Sequence, residues 1–136
     1  MIHVLAKGLI RKEDSILLIK RDLNSSFGGG LWDIPGGKLE FGEETKDALL
    51  REVYEETALD INVLRVLDVC SGISDKKGKQ YITIIYLTDY MKGKINLNEE
   101  HDEYIWVKLD ELDRYKSDMV YYAKHGIEYY KEQNKI

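Results

Sequence analysis

The chain has 136 residues, with 20 lysines and arginines against 25 acidic residues and a formal net charge of −5. Its length predicts a single domain over residues 1–136, and no apolar run approaches the roughly 20 residues that a membrane helix needs. The acidic balance argues against a nucleic-acid polymer as partner. Cys70 is the only cysteine, which excludes an intrachain disulfide. We therefore expect a cytoplasmic protein with no signal peptide and no membrane partner.

The first third of the sequence predicts short strands joined by turns. Two runs rich in isoleucine, leucine and valine, Val4 to Ile10 and Ser15 to Lys20, are typical of a β-hairpin across a polar turn. The loop from Asp22 to Gly30 ends in consecutive glycines, which predicts a mobile segment. Leu31 to Ile34 has the pattern of a short strand, and Pro35-Gly36-Gly37 has that of a turn.

The remaining sequence predicts helices and further strands. Glu43 to Thr57 has helical spacing with Leu49 and Val53 on one face. The tail from Asp118 to Lys131 has the same periodicity, carried by Val120, Ala123, Ile127 and Tyr130. The predicted strands are Ile61 to Val69, Tyr81 to Leu87 and Tyr104 to Val107. Helices alternating with strands indicate an α/β domain in which helices pack on a mixed sheet.

The negative charge is concentrated in one segment. Residues 40–60 include eight acidic residues against two basic ones, a net charge of −6, so the rest of the chain carries +1. Glu52, Glu55 and Glu56 share one arc of the predicted helix. Like charges repel there, and the C-terminal end of the helix dipole disfavours anions. A divalent cation would reverse both effects, because carboxylates suit Mg²⁺ or Mn²⁺; the alternative is a solvated acidic face.

A longer pattern surrounds these acids and resembles the Nudix signature, Gly-x5-Glu-x7-Arg-Glu-apolar-x-Glu-Glu-x-Gly-apolar. The matching residues are Gly37, Glu43, Arg51, Glu52, Val53, Glu55, Glu56 and Leu59. The lead-in from Trp32 to Glu40 and the later segment from Glu100 to Val107 also resemble this family. The single departure is Ala58, where the family has a glycine that would end the helix at positive φ. An alanine in that conformation costs about 1 kcal/mol, or the chain leaves the helix by another route.

The resemblance implies a fold, a cofactor and a reaction. It implies an α/β/α sandwich with a mixed β-sheet that hydrolyses a nucleoside diphosphate linked to another group, using Mg²⁺ or Mn²⁺. By position, the metal ligands would be Glu52, Glu56, Glu55 and the backbone carbonyl of Gly37. Arg51 would pair with Glu43 in support of catalysis. A late glutamate would join the site as ligand or general base, with Glu103 as the candidate and Glu100 as its substitute. Glu55 is a further catalytic candidate.

The substrate is predicted by elimination within the family. Pro35 is the only proline, so the downstream prolines of the ADP-ribose and NADH groups are missing. This leaves the small MutT-type group, which implies hydrolysis of a nucleoside triphosphate, oxidised or not, to nucleoside monophosphate and pyrophosphate. A hydrolase of another substrate such as ADP-ribose, a catalytically silent nucleotide sensor and an acidic interaction module are the alternatives.

Several residues outside the signature are candidates for contacts with a small-molecule nucleotide or a second subunit. Arg21 could meet a substrate phosphate or be an ordinary surface cation. Phe27 and Trp32 could stack on a base, although Trp32 is better suited to the core or a pocket wall. The pairs Tyr121-Tyr122 and Tyr129-Tyr130 cover two sides of the last helix, and any that are exposed would mark a homodimer contact.

Overall fold

The fold is built on one β-sheet, seen in a computed structural model that describes residues 1–135. The strands are β1 (Ile2–Lys12), β2 (Ser15–Arg21), β3 (Trp32–Asp33), β4 (Gly36–Lys38), β5 (Asp60–Ser74), β6 (Lys79–Lys92) and β7 (His101–Lys108). The helices are α1 (Thr45–Thr57) and α2 (Tyr121–Gln133), with 3₁₀ helices at Asp75–Lys77 and Leu109–Asp118.

The sheet is mixed, as the sequence predicts. Its strand order is β3-β2-β1-β6-β5, with β4 also paired to β1 and β7 to β2. β1 and β6 run parallel, from Ile2 opposite Gln80 to Arg11 opposite Asp89. The other pairings between described strands are antiparallel, including the predicted β1–β2 hairpin.

The two α-helices cover opposite faces of this sheet. Successive residues of a strand point to opposite faces, and neighbouring residues of β1 show where each helix lies. Leu9 packs in the hydrophobic cluster that contains Tyr122 of α2, whereas Ile10 packs in the cluster that contains Leu49 of α1. The predicted α/β/α sandwich is therefore confirmed.

One predicted turn is wrong. Gly36 to Lys38 form a strand, β4, that pairs antiparallel with residues 5–7 of β1. Gly36 has a φ of +136°, and a side chain at this position would overlap the backbone of Ala6 and Lys7. The glycine therefore allows the chain to approach β1 closely enough to pair with it, which turn propensity alone does not reveal.

The last helix has the predicted apolar face. The buried residues at the predicted spacing are Val120, Ala123, Ile127 and Tyr130. Tyr121 and Tyr129 remain partly exposed, so the homodimer contact stays a prediction. The single domain over residues 1–136 also stays a prediction, and its final residue, Ile136, lies outside the described residues. No helix in residues 1–135 combines the length and apolar character needed to cross a membrane.

Candidate functional site

The acids of α1 are positioned by how this helix packs and ends. Leu49 and Val53 are fully buried against the sheet, and the face that carries Glu52 and Glu56 lies against β4. The helix ends at Ala58, which has a φ of 64° and donates its backbone N–H to the preceding turn at 2.8 Å. Alanine therefore keeps the left-handed exit of a glycine, at a cost of about 1 kcal/mol.

Glu56 is a buried acid, only 3% exposed. Its carboxylate accepts the backbone N–H of Gly36 at 2.8 Å. Burial raises the pKa of Glu56 to about 8, although the Lys7 charge and the Gly36 N–H act in the opposite direction. Burial also raises the pKa of Glu52, one turn earlier. Both carboxylates are unfavourable when ionised in this setting, so a bound cation would stabilise their charged forms.

Gly37 brings the backbone of β4 against Glu52. A side chain at Gly37 would overlap the carboxyl group of Glu52, so the signature glycine leaves space next to that acid. The arrangement provides a concave surface of backbone and carboxylate groups between β4 and α1. This surface fits the predicted contribution of Gly37 to a cation site, and its role as a ligand stays a prediction.

Arg51 orients the acids around it. Its Nε and Nη2 donate to the two carboxylate oxygens of Glu43 at 2.8 and 3.0 Å, and its Nη1 donates to Glu52 at 2.9 Å. The paired hydrogen bonds hold the pKa of Glu43 down at about 2. A planar guanidinium with several such bonds fixes carboxylate orientation. These are the contacts that the predicted supporting role of Arg51 and Glu43 requires.

A cavity of about 300 Å³ opens beside the acids. Its acidic and backbone lining comes from Glu52, Glu56, Glu100, Gly36 and Gly37. Its aromatic and apolar lining comes from Leu5, Phe27, Tyr81, Tyr121 and Tyr122. Its basic lining comes from Lys7, Arg21 and Lys38. A pocket with apolar walls and a few polar groups is the usual form of a small-molecule site.

Arg21 lines the cavity and also organises the loop at residues 22–30. Its Nε donates to the carbonyl of Phe27 at 2.7 Å, and its Nη2 donates to the hydroxyl of Ser25 at 2.9 Å. Its guanidinium lies 5.6 Å from the centre of the Phe27 ring. Phe27 is 44% exposed, so its ring is accessible from the cavity. The predicted mobility of this loop stays a prediction.

A second group of ligand atoms lies at the start of β7. Glu56, Glu100 and His101 bring ligand atoms within 4.8 Å of one another. Burial lowers the pKa of His101 to about 4, which leaves its imidazole neutral near neutral pH. Its Nε2 is buried with no hydrogen-bond partner among the described residues. Mg²⁺ and Mn²⁺ prefer carboxylate oxygens. The carboxyl groups of Glu52, Glu56 and Glu100 on the cavity wall therefore fit the implied cation, whereas the imidazole of His101 is not a ligand that Mg²⁺ prefers.

The late glutamate at the cavity is Glu100, the substitute, and not Glu103. The Glu103 side chain is 60% exposed, pairs with Lys20 at 3.5 Å and does not line the cavity, and its role in catalysis stays a prediction. Glu55 also lies at the edge of the site. Its side chain is 54% exposed and lies 3.4 Å from Arg51, and its roles as metal ligand and catalytic residue stay predictions.

Trp32 is half-buried against the core and does not line the cavity. Its ring packs edge-on against Tyr115 with centroids 5.6 Å apart, and Lys20 lies over it at 5.5 Å. Trp32 contacts the hydrophobic cluster beneath α2. Of the two aromatic residues predicted to stack on a base, only Phe27 lies at the cavity.

Several cavity residues were not predicted from the sequence, because they come from elements that lie far apart in the chain. They are Leu5, Lys7, Tyr81, Glu100 as the preferred late acid, Tyr121 and Tyr122. By sequence, Tyr81 suits sheet packing, and Tyr121 and Tyr122 suit the core or a dimer contact of the last helix, so none of them carries a distinguishing signal. Lys7 does carry one, since a lysine interrupts the apolar residues of the first strand.

Comparison with known proteins agrees with this site. The chain matches the family described as NUDIX domain over residues 1–125, and it therefore belongs to that family. The crystal structure of the MutT protein from Methanosarcina mazei Go1 has the same fold, with a TM-score of 0.87 and 29% identity over 99% of this chain and 96% of that chain.

Curated relatives are named as hydrolases of acid anhydrides. An ADP-ribose pyrophosphatase from Methanocaldococcus jannaschii is 33% identical over 111 residues, which span 82% of this chain and 64% of the relative. An 8-oxo-dGTP diphosphatase from Proteus vulgaris is 39% identical over 67 residues, or 49% of this chain and 59% of the relative. The matches thus span less than two thirds of both relatives. The Escherichia coli nucleoside triphosphatase NudI is 30% identical, with 79% of this chain and 82% of the relative matched.

Proposed function

We propose that this chain hydrolyses a nucleoside triphosphate between the α and β phosphates and releases a nucleoside monophosphate and pyrophosphate, with Mg²⁺ or Mn²⁺ as cofactor. The observation that carries the proposal is the buried carboxyl group of Glu56. It lies with Glu52 and Glu100 on a cavity whose other walls carry aromatic side chains. Acids that hold a cation suit the phosphates of a nucleotide, and aromatic rings suit its base.

The residues around the acids have distinct parts in this reaction. Glu52 and Glu56 would hold the cation, which when bound neutralises phosphate charge and lowers the pKa of the attacking water. Glu100 is the general base of the proposal, since it lines the same cavity and lies within reach of Glu56. It would take the proton of the water as the water oxygen attacks phosphorus and the pyrophosphate oxygen leaves. Arg51 positions Glu52 through its 2.9 Å hydrogen bond.

The aromatic lining would bind the nucleoside. Phe27, Tyr81 and Tyr121 lie on the cavity wall, and stacking on an aromatic side chain contributes about 1–3 kcal/mol per base. Because stacking is present both before and during the reaction, loss of such a ring raises KM more than it lowers kcat. Phe27→Ala should have this effect. Trp32→Ala is the matched control, since Trp32 packs on Tyr115 and not at the cavity.

ADP-ribose is the second candidate substrate. The similarity to the archaeal protein named ADP-ribose pyrophosphatase favours it, at 33% identity over 82% of this chain. The absence of a downstream proline argues against it, because Pro35 is the only proline. The same acids would serve both reactions, so the difference lies in what the cavity accepts next to the phosphates.

Steady-state kinetics with the purified full chain separate these candidates. The substrates are nucleoside triphosphates, oxidised and unoxidised, beside ADP-ribose and dinucleoside polyphosphates, each with Mg²⁺ and with Mn²⁺. We expect a triphosphate to give the highest kcat/KM, and phosphorus NMR to show pyrophosphate as the first product. A higher kcat/KM for ADP-ribose would overturn the triphosphate assignment. Direct release of orthophosphate from a triphosphate would overturn the site of attack.

A further inference from the structure

Lys7 occupies a position where the fold predicts an apolar side chain. Leu5 and Leu9 flank it on the same face of β1, and both pack in the hydrophobic cluster beneath α2. Lys7 itself is only 3% exposed. A lysine between two core leucines breaks the alternation of the strand, and a charged group at a core position calls for an explanation beyond packing.

The charge of Lys7 is only partly balanced inside the protein. Its Nζ lies 3.4 Å from Asp33 Oδ2 and 3.3 Å from the carbonyl of Ile34, both longer than the roughly 2.7–2.9 Å of a strong charged hydrogen bond. Asp33 Oδ2 also accepts the Tyr122 hydroxyl at 2.7 Å and Arg21 Nη1 at 3.1 Å. One carboxylate therefore serves two cations. The other acids that feel the Lys7 charge are Glu56 and Glu52, and the proposed function assigns both of these to the metal cation.

Lys7 lies between the acidic part and the aromatic part of the cavity wall. It lines the cavity wall and lies opposite Gly36 in the β1–β4 register. Gly36 is the residue that holds Glu56 through its backbone N–H. On its other side, Lys7 lies 5.1 Å from the ring of Tyr122, which belongs to the aromatic lining. A cation at this junction lies where the acids of α1 and the aromatic residues of α2 meet.

We propose that the Lys7 ammonium binds the phosphoryl group that carries the nucleoside. This inference rests on the proposed function, because it assigns a residue to one part of that substrate. An ammonium group has three N–H donors, and the two protein acceptors of Lys7 leave one donor for a phosphate oxygen. A buried cation that shares its counter-ion gains from a further anionic ligand. The alternative is an ion pair that only holds β1 to β3.

Phosphate binding without metal separates these two roles. The probe is inorganic phosphate, titrated into the full chain in excess chelator and followed by protein NMR chemical shifts, so that neither catalysis nor a cation contributes. Lys7→Met keeps the apolar stem and removes the charge. The control is Lys108→Met, because Lys108 is a solvent-exposed lysine that does not line the cavity. We expect Lys7→Met to raise the Kd for phosphate about tenfold or more, and Lys108→Met to change it less than about threefold.

The outcomes distinguish this inference from the proposed function. Equal phosphate affinity in wild type and Lys7→Met, or no binding of phosphate to wild type, would overturn the role of Lys7 even if the chain hydrolyses nucleotides. Weaker binding in the variant would support it even if no triphosphate is cleaved. If Lys7→Met does not fold, Lys7→Gln provides the same comparison with a polar neutral side chain. In an active enzyme, the loss of the contact should also lower kcat/KM for the triphosphate while leaving the metal requirement unchanged.

Discussion

Helices α1 and α2 have the same length, 13 residues each, and cover opposite faces of one sheet, but they bury different kinds of residue. The buried residues of α2 are Tyr122, Ala123, Gly126, Ile127 and Tyr130. α1 buries Leu49 and Val53, and in addition the carboxyl group of Glu56. Apolar packing accounts for α2. It does not account for Glu56, because burial disfavours an ionised carboxylate. The contrast shows that α1 departs from ordinary packing at the site where chemistry is expected.

Removing the buried acid of α1 tests the contrast most strongly. Glu56→Gln keeps the shape and the acceptor for the Gly36 N–H, but it removes the charge that a cation would need. We expect turnover to fall at least about a hundredfold, and metal-free stability to stay or rise. Steady-state kinetics and urea unfolding measure these effects. Glu44→Gln is the control, since Glu44 makes no side-chain cap hydrogen bond at the start of α1 and should keep its turnover. Near-normal rates in Glu56→Gln would place the site elsewhere.

The two late glutamates provide a second, smaller test. Glu100 lines the cavity, whereas Glu103 pairs with Lys20 at the surface. Glu100→Gln should lower kcat at least about tenfold, as expected for loss of a general base. Glu103→Gln should change kcat less than about twofold, because an exposed ion pair contributes little. Steady-state kinetics of the two variants check both values. The reverse order would restore the assignment that the sequence alone suggests.

The pH dependence of metal-free stability tests the burial of Glu56 directly. Its pKa of about 8 in the folded protein lies above its ordinary value of 4.5. Between these pH values the folded state keeps a proton that the unfolded state has lost, so the free energy of unfolding falls as pH rises. The expected loss is on the order of a few kcal/mol across this window.

Urea unfolding in chelator, at several pH values between about 5 and 8, measures this loss. Glu56→Gln should remove that part of the slope, and Mg²⁺ should restore stability to wild type at the upper end of the range. Wild type and variant curves that run parallel in chelator would show that Glu56 is not held as the structure has it.

Glycine substitutions in the two helices have the smallest expected effects on stability. Ala58→Gly should stabilise the chain by about 0.5–1 kcal/mol, because glycine adopts the left-handed conformation without strain. Ala123→Gly inside α2 should do the opposite, by about 1 kcal/mol or more. Thermal unfolding of both variants measures whether each substitution stabilises or destabilises the chain. A destabilised Ala58→Gly would mean that the φ of 64° at Ala58 is not strained.

Local patterns predict most of the fold and only part of the site. The hairpin of β1 and β2 and the apolar face of α2 follow from residue spacing, since each depends on neighbours in sequence. The strand at Gly36 to Lys38 does not, because it exists only through the close approach of Gly36 to β1. Gly36 suits both a turn and a strand by its local sequence, and the contact with β1 determines that it forms a strand.

The same distinction applies to the site. The acids of α1 are recognisable because they crowd one helix face against electrostatic repulsion, and because their spacing resembles a known signature. Glu100 and Glu103 could not be separated from sequence, because Glu100 lies in the turn before β7 and Glu103 lies within the strand, and the sequence does not show where the strand begins. The position of Lys7 opposite Gly36 depends on the register between β1 and β4, which the sequence alone does not show. Trp32 suits both stacking and core packing by its type, and in the structure it packs edge-on against Tyr115 beside the core.

The measurement that tests the central claim most directly is the metal dependence of pyrophosphate release. A nucleoside triphosphate is incubated with the full chain in excess chelator, then with Mg²⁺ added beyond the chelator, and the products are followed by phosphorus NMR. We expect no hydrolysis in chelator and recovery of pyrophosphate and nucleoside monophosphate with Mg²⁺ in wild type, with little recovery in Glu56→Gln. Full activity in chelator, or equal recovery in Glu56→Gln, would contradict a cation held by the acids of α1.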